Sequence, residues 1–578
     1  MDTINLLNDL RKFVDDEFTA NQTKLLEGWQ KLLSKKLETG DTQHFHRLEK
    51  AHEKDSIWAY LGKGESRFRE GDMICVHSGD AVSTRFLFQL LVEKEEDDRW
   101  LLTGMSLDKQ FANYNGGECY ADADTMDLKP FYEKALEEIA TLRIGRDIVL
   151  PLLAGKLPYN DIYEEDYDSA AEIAESQNLN DEQVEAVARA VGAKYVACIQ
   201  GPPGTGKTKV LSLIAKILAD KGERVLMTSH THMAINNALN KIKLQNVPVI
   251  KVGVKSGSKV LNRDIEVYSC ADDWKSRPQD GYVIGATPFA TCSSRLEKYQ
   301  FDTVIFDEAS QVTLPLAVMA MRKARKYIFI GDHKQLPPVV LSRSVFDSNS
   351  FSIFSKLVTD RCETSVMLSR TYRMNQWLTQ WPSKTFYHER LTSEGDNKSR
   401  TFSLPTPPRK FSSILSSEPS TVFINSHGFS ARTVNSKDAK TVSEIICEAI
   451  RCGMPPKEIG VVTPFRNHAR RIRSELSAAL GGTTAREVVA DTVERMQGQE
   501  RELIIISLCA TDPVFIQTIA SFFFQPERLN VAITRPMTKL IIIGPEINHS
   551  PDIENPKVLQ WIKWYQNLTG NIKHIKVE

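Results

Sequence analysis

The octapeptide Gly201-Pro202-Pro203-Gly204-Thr205-Gly206-Lys207-Thr208 constrains the folding of this chain more than any other stretch. It matches the pattern GxxxxGK[ST], and its flanks supply the context that the pattern requires. The apolar run VACI (196–199) stands before it. After it comes a helical pattern with Val210, Leu211, Ile214 and Leu218 on one face. In such a strand–loop–helix, glycines let backbone N–H groups turn inward around phosphate oxygens. The helix N-terminus adds positive potential. Lys207 would reach the β- and γ-phosphates and Thr208 would ligate Mg²⁺. The whole segment 201–208 therefore reads as a nucleotide-binding loop.

Short apolar runs alternate with helical segments beyond residue 190: VACI, RVLM (224–227), VIGA (283–286), TVIF (303–306) and YIFI (327–330). Runs apolar on both sides predict strands of a parallel sheet covered by helices. A second series, TVFI (421–424), GVVT (460–463), LIIIS (503–507) and LIIIG (540–544), predicts another such sheet. Between them, SLPTPPRKFSSILSSEPS (403–420) is rich in Ser and Pro and predicts loop. The economical reading is an α/β protein of two units joined near residue 345, closed by a helix over VLQWIKWYQNL (558–568).

The N-terminal third reads differently. Residues 1–60 read as helical, with Leu6, Leu7, Leu10, Phe13, Val14 and Phe18 spaced near 3.6. The pattern changes near Gly71. RFLFQLLVE (85–93) is strand-like, EKEEDD (93–98) is a polar turn and RWLLTG (99–104) is a return strand. Residues 65–128 thus predict a small β module. FYEKALEEIATL (131–142) returns to helix, and NDIYEEDYDSAAE (160–172) reads as a linker or a solvated face.

Charge divides the chain in the same way. Residues 1–178 carry a net −15 and residues 179–578 a net +14, which leaves −1 overall. A polyanion-binding portion beside an acidic accessory one accounts for that split, and the acidic third is a candidate surface for a protein partner. With 41% apolar and 25% charged residues, collagen-like, coiled-coil and disordered classes are excluded. No apolar run approaches the roughly 18 residues that span a bilayer. The opening MDTINLLNDLRKFVDDEF is not a signal peptide. A cytoplasmic location without membrane contact is expected. The nine cysteines have no metal-ligand spacing and are expected to be reduced, mostly in cores.

A nucleotide site needs a second carboxylate on a neighbouring strand. Asp307-Glu308 directly follows TVIF. Asp307 would hold Mg²⁺ through water, and Glu308 would polarise the attacking water.

Other motifs follow in a specific order: DEAS (307–310), GDHKQLPP (331–338), Tyr372-Arg373-Met374, TVERMQGQERELIIIS (492–507) and RLNVAITR (528–535). With the phosphate loop, this series resembles superfamily 1 helicases, and most closely the Upf-like branch. That branch contains the nonsense-mediated-decay RNA helicase and the helicase modules of several DNA-processing enzymes. The match runs from about Asn180 to about Gly544, roughly two-thirds of the chain.

The resemblance implies two tandem RecA-like domains, at 179–345 and 346–578. It implies that Asn180 and Gln183 read adenine with a side-chain amide and that Tyr372 stacks on the base. Arg373 and Arg535 would reach the γ-phosphate from the second domain, as arginine fingers do. Gln335 would sense that phosphate and link it to the nucleic-acid groove, and Glu500 would hold the ribose. Three positions depart from the family pattern: Thr371 replaces Gln, Asn375 replaces His and Pro536 replaces Ala. These leave the charged groups intact and bear only on fine geometry. In the N-terminal third the resemblance implies a barrel-like module (65–128) on helical stalks. The helical segment 1–64 would precede it, and a helical return with an acidic linker (129–178) would follow. No zinc-rich regulatory module and no nuclease domain is expected.

Nucleic acid would cross the tops of both sheets. Its expected contacts are Ser229, Thr231, His232, Thr287, Pro288, Thr463, Pro464, Phe465 and Arg466, all at strand ends. Hydroxyls and backbone amides there suit phosphate oxygens and read no base edge. Arg470, Arg471 and Arg473 read instead as a solvated helix face. The chain is thus expected to be an ATP-driven translocase or helicase on single-stranded DNA or RNA, with the family's 5′-to-3′ polarity. The alternative is a nucleic-acid-activated ATPase switch in a larger assembly.

Overall fold

A computed structural model describes residues 2–62, 66, 68, 70–79, 81–82, 87–96, 98–253, 260–342, 351–360, 365–428, 430–547 and 553–576. Arg85 and Phe86 of the strand-like run, and residue 345 itself, lie outside the described residues. The boundary expected there is nevertheless corrected: Ile353, Phe354 and Leu357 pack in the first unit's core and Ser365–Met367 is a strand of its sheet, so the second unit begins after it.

The strand predicted at VACI is Val196–Gln200, and it enters an eight-stranded parallel sheet. In spatial order the strands are Glu266–Tyr268, Val249–Val252, Tyr282–Gly285, Arg224–Thr228, Thr303–Phe306, Lys326–Gly331, Val196–Gln200 and Ser365–Met367. Successive residues serve opposite faces. Val304 and Phe306 face one core, and Ile305 between them faces the other. Burial on both faces is why these strands read as unbroken apolar runs. The helices Asp181–Gly192, Lys207–Asp220 and His232–Lys243 cover one face. The other face is covered by Leu314–Met321 and by the N-terminal helices Thr3–Trp29 and Lys129–Thr141. These last two bring Leu6, Leu10, Val14, Leu136 and Ile139 into the core.

The second sheet is also parallel, in the order Val489–Thr492, Ile459–Thr463, Arg501–Ser507, Pro536–Gly544, Thr421–Asn425 and Lys573–His574. Ser436–Arg451 and Arg466–Leu480 pack on one side, and Gln376–Phe386 and Pro526–Ile533 on the other. The Ser- and Pro-rich stretch 403–420 carries no helix or strand, and the closing helix is Pro556–Gly570.

The accessory module is a closed six-stranded barrel, and it begins earlier than expected. Its strands are Thr42–Lys50, Ser56–Leu61, Arg99–Thr103, Phe88–Glu95, Met73–His77 and Cys119–Ala123, the last pairing back onto the first. The expectation that 1–64 is helical is therefore corrected: helix covers Thr3–Trp29 and Leu33–Thr39, and two barrel strands follow. In TQHFHRLEK a bulge between Phe45 and Arg47 breaks the alternation: Phe45 and Leu48 fill the barrel three residues apart, while His46, Arg47, Glu49 and Lys50 face solvent. The acidic stretch is no linker either. Glu164–Ser176 is a helix that buries Ala170 and Ala174 against Asp181–Gly192 and leaves its charges in water. Trp29 Nε1 donates to Ala123 O at 2.8 Å, fastening the long first helix to the barrel. Among the described residues no helix is long and apolar enough to cross a membrane.

Candidate functional site

Gly204 and Gly206 take φ of +75° and +85°, where a side chain is strained, and both are crowded. A Cβ on Gly204 would lie 2.4 Å from Cβ of Arg373, and one on Gly206 would lie 2.7 Å from Nε2 of Gln183. The loop is thus gripped from both sides. Thr205 Oγ1 donates to Pro202 O at 2.8 Å. Lys207 Nζ donates to Gly201 O at 2.5 Å, and Thr208 lies on the first turn of Lys207–Asp220.

Asn180 and Gln183 form a capping box. Gln183 N donates to Asn180 Oδ1 at 3.0 Å, and Asn180 N donates to Gln183 Oε1 at 3.2 Å. The Gln183 amide also donates to Thr205 O at 3.0 Å, and Asn180 Nδ2 donates to the Tyr372 hydroxyl at 2.8 Å. Both residues therefore stand beside the phosphate loop and the candidate stacking ring.

The acidic pair sits where parallel pairing puts it, at the C-terminal end of Thr303–Phe306. Asp307 is buried and accepts from Glu308 N at 3.0 Å. Burial, and then repulsion from Glu308, pushes its carboxyl up to about 7, against the pull of Lys207. A cation would remove that penalty, so a desolvated acid beside the phosphate loop fits a metal ligand. Glu308 holds φ 49°, ψ 41°, a left-handed conformation costing of order 1 kcal/mol for a non-glycine residue. Gln497 of the second unit donates to Glu308 Oε2 at 3.2 Å.

The second unit closes the cleft. Tyr372 N donates to Gly204 O at 2.8 Å, and its ring is half-exposed. Arg373 Nε donates to Glu500 Oε2 at 2.5 Å, and its Nη1 to Thr534 O at 3.1 Å. Arg535 is buried, with Nε donating to Val531 O at 2.8 Å and Nη1 to Gln499 O at 3.2 Å. Burial, then repulsion from Arg373, lowers its guanidinium to about 9, while Glu308 pulls the other way. Arg535 therefore shares the electrostatic neighbourhood of Glu308.

The three departures from the family pattern have local explanations. Thr371 Oγ1 donates to Pro203 O at 2.8 Å. Asn375 caps Gln376–Phe386, and Pro536 opens a strand.

In the first sheet the expected nucleic-acid contacts Ser229, Thr231, His232, Thr287 and Pro288 lie just past C-terminal strand ends, on the rim that also carries the phosphate loop. Thr231 caps His232–Lys243 and Thr287 precedes the turn Pro288–Cys292. Buried side-chain atoms of Thr228, Ser229, His230, His232 and Ser310 lack a hydrogen-bond partner. A row of unpartnered buried polar atoms on one rim needs explaining, and a bound ligand supplies one. In the second unit, Thr463 is buried and Pro464 to Arg466 lead into Arg466–Leu480. The Phe465 ring lies 5.8 Å from that of Phe522. The arginine-rich helix is not simply solvated: Arg470 donates to Ser66 O at 3.2 Å and Arg473 to Ala490 O at 2.7 Å, while Arg471 pairs with Glu475.

Gln335 is buried, and its amide donates to Asp332 Oδ2 at 2.9 Å. Sequence reasoning assigned no role to Asp332, Tyr387, Gln497 or Asn530, all of which pack at this junction. Asp332, Gln497 and Asn530 stand inside motifs already singled out, so a signal existed. Tyr387 had none.

Two family models, both described as AAA domain, match residues 178–377 and 349–546. The chain is similar to the DNA replication ATP-dependent helicase/nuclease JHS1 of Arabidopsis thaliana, at 27% identity over 390 residues, covering 64% of this chain and 28% of that protein. It is similar to the DNA replication ATP-dependent helicase/nuclease dna2 of Schizosaccharomyces pombe, at 27% identity over 422 residues, covering 68% and 30%. The DNA polymerase alpha-associated DNA helicase A of S. pombe is 26% identical over 432 residues, covering 64% of each. The chain thus spans under a third of the length of the first two relatives.

Proposed function

Because the chain belongs to the Upf-like branch of the superfamily 1 helicases, we propose that it is an ATP-driven translocase or helicase on single-stranded nucleic acid. One observation carries this reading. Arg373 and Arg535 of the second α/β unit share a cleft with Lys207, Asp307 and Glu308 of the first. The two units can therefore cooperate on one nucleotide, and hydrolysis can change how they sit on a strand. DNA is the preferred substrate of this reading, since the similar proteins are named for DNA replication and DNA helicase activity. The family's polarity makes movement 5′-to-3′.

The roles follow from position. Lys207 and the loop 201–208 cradle the phosphates of ATP. Thr208 and Asp307 would hold Mg²⁺, which when bound neutralises phosphate charge. Glu308 accepts the proton of the attacking water, and Arg373 and Arg535 neutralise charge developing on the transferred group. Tyr372 stacks on adenine while Asn180 and Gln183 contact its edge, and Glu500 lies near the ribose. The first unit runs from about 179 through the strand Ser365–Met367, and the second takes the rest of the chain. The helices Thr3–Trp29 and Lys129–Thr141 act as stalks carrying the barrel, whose acidic surface is open to a protein partner.

The test is ATP turnover with and without single-stranded DNA or RNA. Lys207→Ala should abolish nucleotide binding or hydrolysis. Glu308→Gln should bind ATP but hydrolyse it about a hundredfold or more slowly, the scale of a lost general base. Near-native turnover by Glu308→Gln would overturn its assignment. Strand displacement by the purified chain separates a helicase from an ATPase switch that unwinds nothing.

A further inference from the structure

The loop that carries Gln335 is tied to the second unit at Asp332 and at Lys334 O. Asp332, fully buried, uses both carboxylate oxygens. Oδ1 accepts from Gln200 Nε2 at 3.3 Å and from Lys334 N at 3.1 Å. Oδ2 accepts from Gln335 Nε2 at 2.9 Å and from the Tyr387 hydroxyl at 2.7 Å. Tyr387 stands just past the helix Gln376–Phe386, so this last bond crosses between units. Its hydroxyl in turn accepts from Asn530 Nδ2 at 2.8 Å, and the same amide reaches Lys334 O at 2.8 Å. Asn530 lies on Pro526–Ile533, the helix that delivers Arg535 to the cleft.

We propose that Tyr387 is a positioning residue that couples the second unit's movement to Gln335, through the chain Asn530–Tyr387–Asp332–Gln335. The inference rests on the reading that Gln335 senses the γ-phosphate. Every polar link in the chain is buried, so no water can replace a broken bond without opening the junction. Burial and the neighbouring Asp332 hold the Tyr387 hydroxyl protonated, so it remains a donor to the carboxylate. Without that hydroxyl, Asp332 keeps its three donors from the first unit, and the Gln335 side chain loses its route to Asn530, which then holds the loop only at Lys334 O. When the units part, the chain must either break or carry the loop 331–336 with it. Either event reports domain position at the phosphate sensor without touching a nucleotide.

Tyr387→Phe in the full chain removes the hydroxyl and keeps the ring among Met374, Leu378 and Phe386. Turnover at saturating single-stranded DNA should fall about tenfold, with the KM for ATP moving less than about twofold. Amide exchange at Lys334 and Gln335 should quicken about tenfold in the nucleotide-free protein, while that of Lys326–Gly331 holds. A role in packing alone would loosen strand and loop together and leave turnover at saturation intact. Asn530→Ala breaks the chain at its other end and should give the same pattern if the phenylalanine variant fails to fold. Native stimulated turnover in either folded variant, or a raised KM with kcat unchanged, overturns the coupling alone. A parent protein that single strands do not stimulate overturns the functional reading, and the coupling with it.

Discussion

Nε of Arg373 lies 2.5 Å from Oε2 of Glu500, so the arginine proposed to reach a phosphate is held by a carboxylate of its own unit. Glu500 is half-exposed at its side chain while Arg373 is nearly buried. The carboxylate is therefore the partner that water can replace. Glu500→Gln should keep strand-stimulated turnover within about threefold of the parent, as for a partly solvated ion pair. Arg373→Ala should lose about a hundredfold or more, as arginine fingers do. Equal losses would show that the pair, and not the arginine, is the working unit.

The rim residues Ser229, His230 and His232 offer unpartnered buried polar atoms. If phosphates satisfy them, affinity for single strands should fall with salt at a log–log slope of about 2 or more. Binding by fluorescence anisotropy across a salt series measures it. Base sequence should matter little, and a thousandfold preference for one sequence would point to base readout instead.

His468 lies fully buried on Arg466–Leu480, with Nε2 2.8 Å from the Ser507 hydroxyl. Burial lowers its imidazole from 6.5 to about 4. Between those values the unfolded chain binds the extra proton. The stability from this group is thus complete above 6.5 and is lost as pH falls through 4. The loss is about 3 kcal/mol at most. His468→Gln should show a shallower decline of melting temperature over that range, and parallel declines would exclude this histidine as the cause.

The barrel's true extent predicts which excision survives. Removing 65–128 would strip Thr42–Lys50 and Ser56–Leu61 of Cys119–Ala123 and Arg99–Thr103, exposing Phe45 and Ile57. Removing 31–124 takes the whole barrel together with Lys36, whose buried ammonium pairs with Asp122. The shorter excision should aggregate, while the longer should give one cooperative melting transition with ATP turnover retained. Equal solubility would place the module boundary elsewhere.

Local pattern determined much of this protein. The phosphate loop, the acidic pair after TVIF and both series of parallel strands were legible, because each needs only neighbouring residues: a strand buried on both faces is apolar throughout, and a tight turn is glycine-rich. The first barrel strand was not legible, since a bulge between Phe45 and Arg47 breaks the alternation in TQHFHRLEK. The short strand Val249–Val252 was also missed, because Lys251 interrupts its buried apolar run, and so was its neighbour Glu266–Tyr268, an edge strand held by pairing and not by composition. What only tertiary structure decided is which distant side chains meet. Tyr387 has no motif, yet it lies between Asp332 and Asn530, 55 and 143 residues away. Arg373 and Glu500, separated by 127 residues, form an ion pair. Hydrogen bonds and ion pairs act over a few ångströms and require facing geometry. Folding two sheets against each other supplies that geometry, and no local pattern records it.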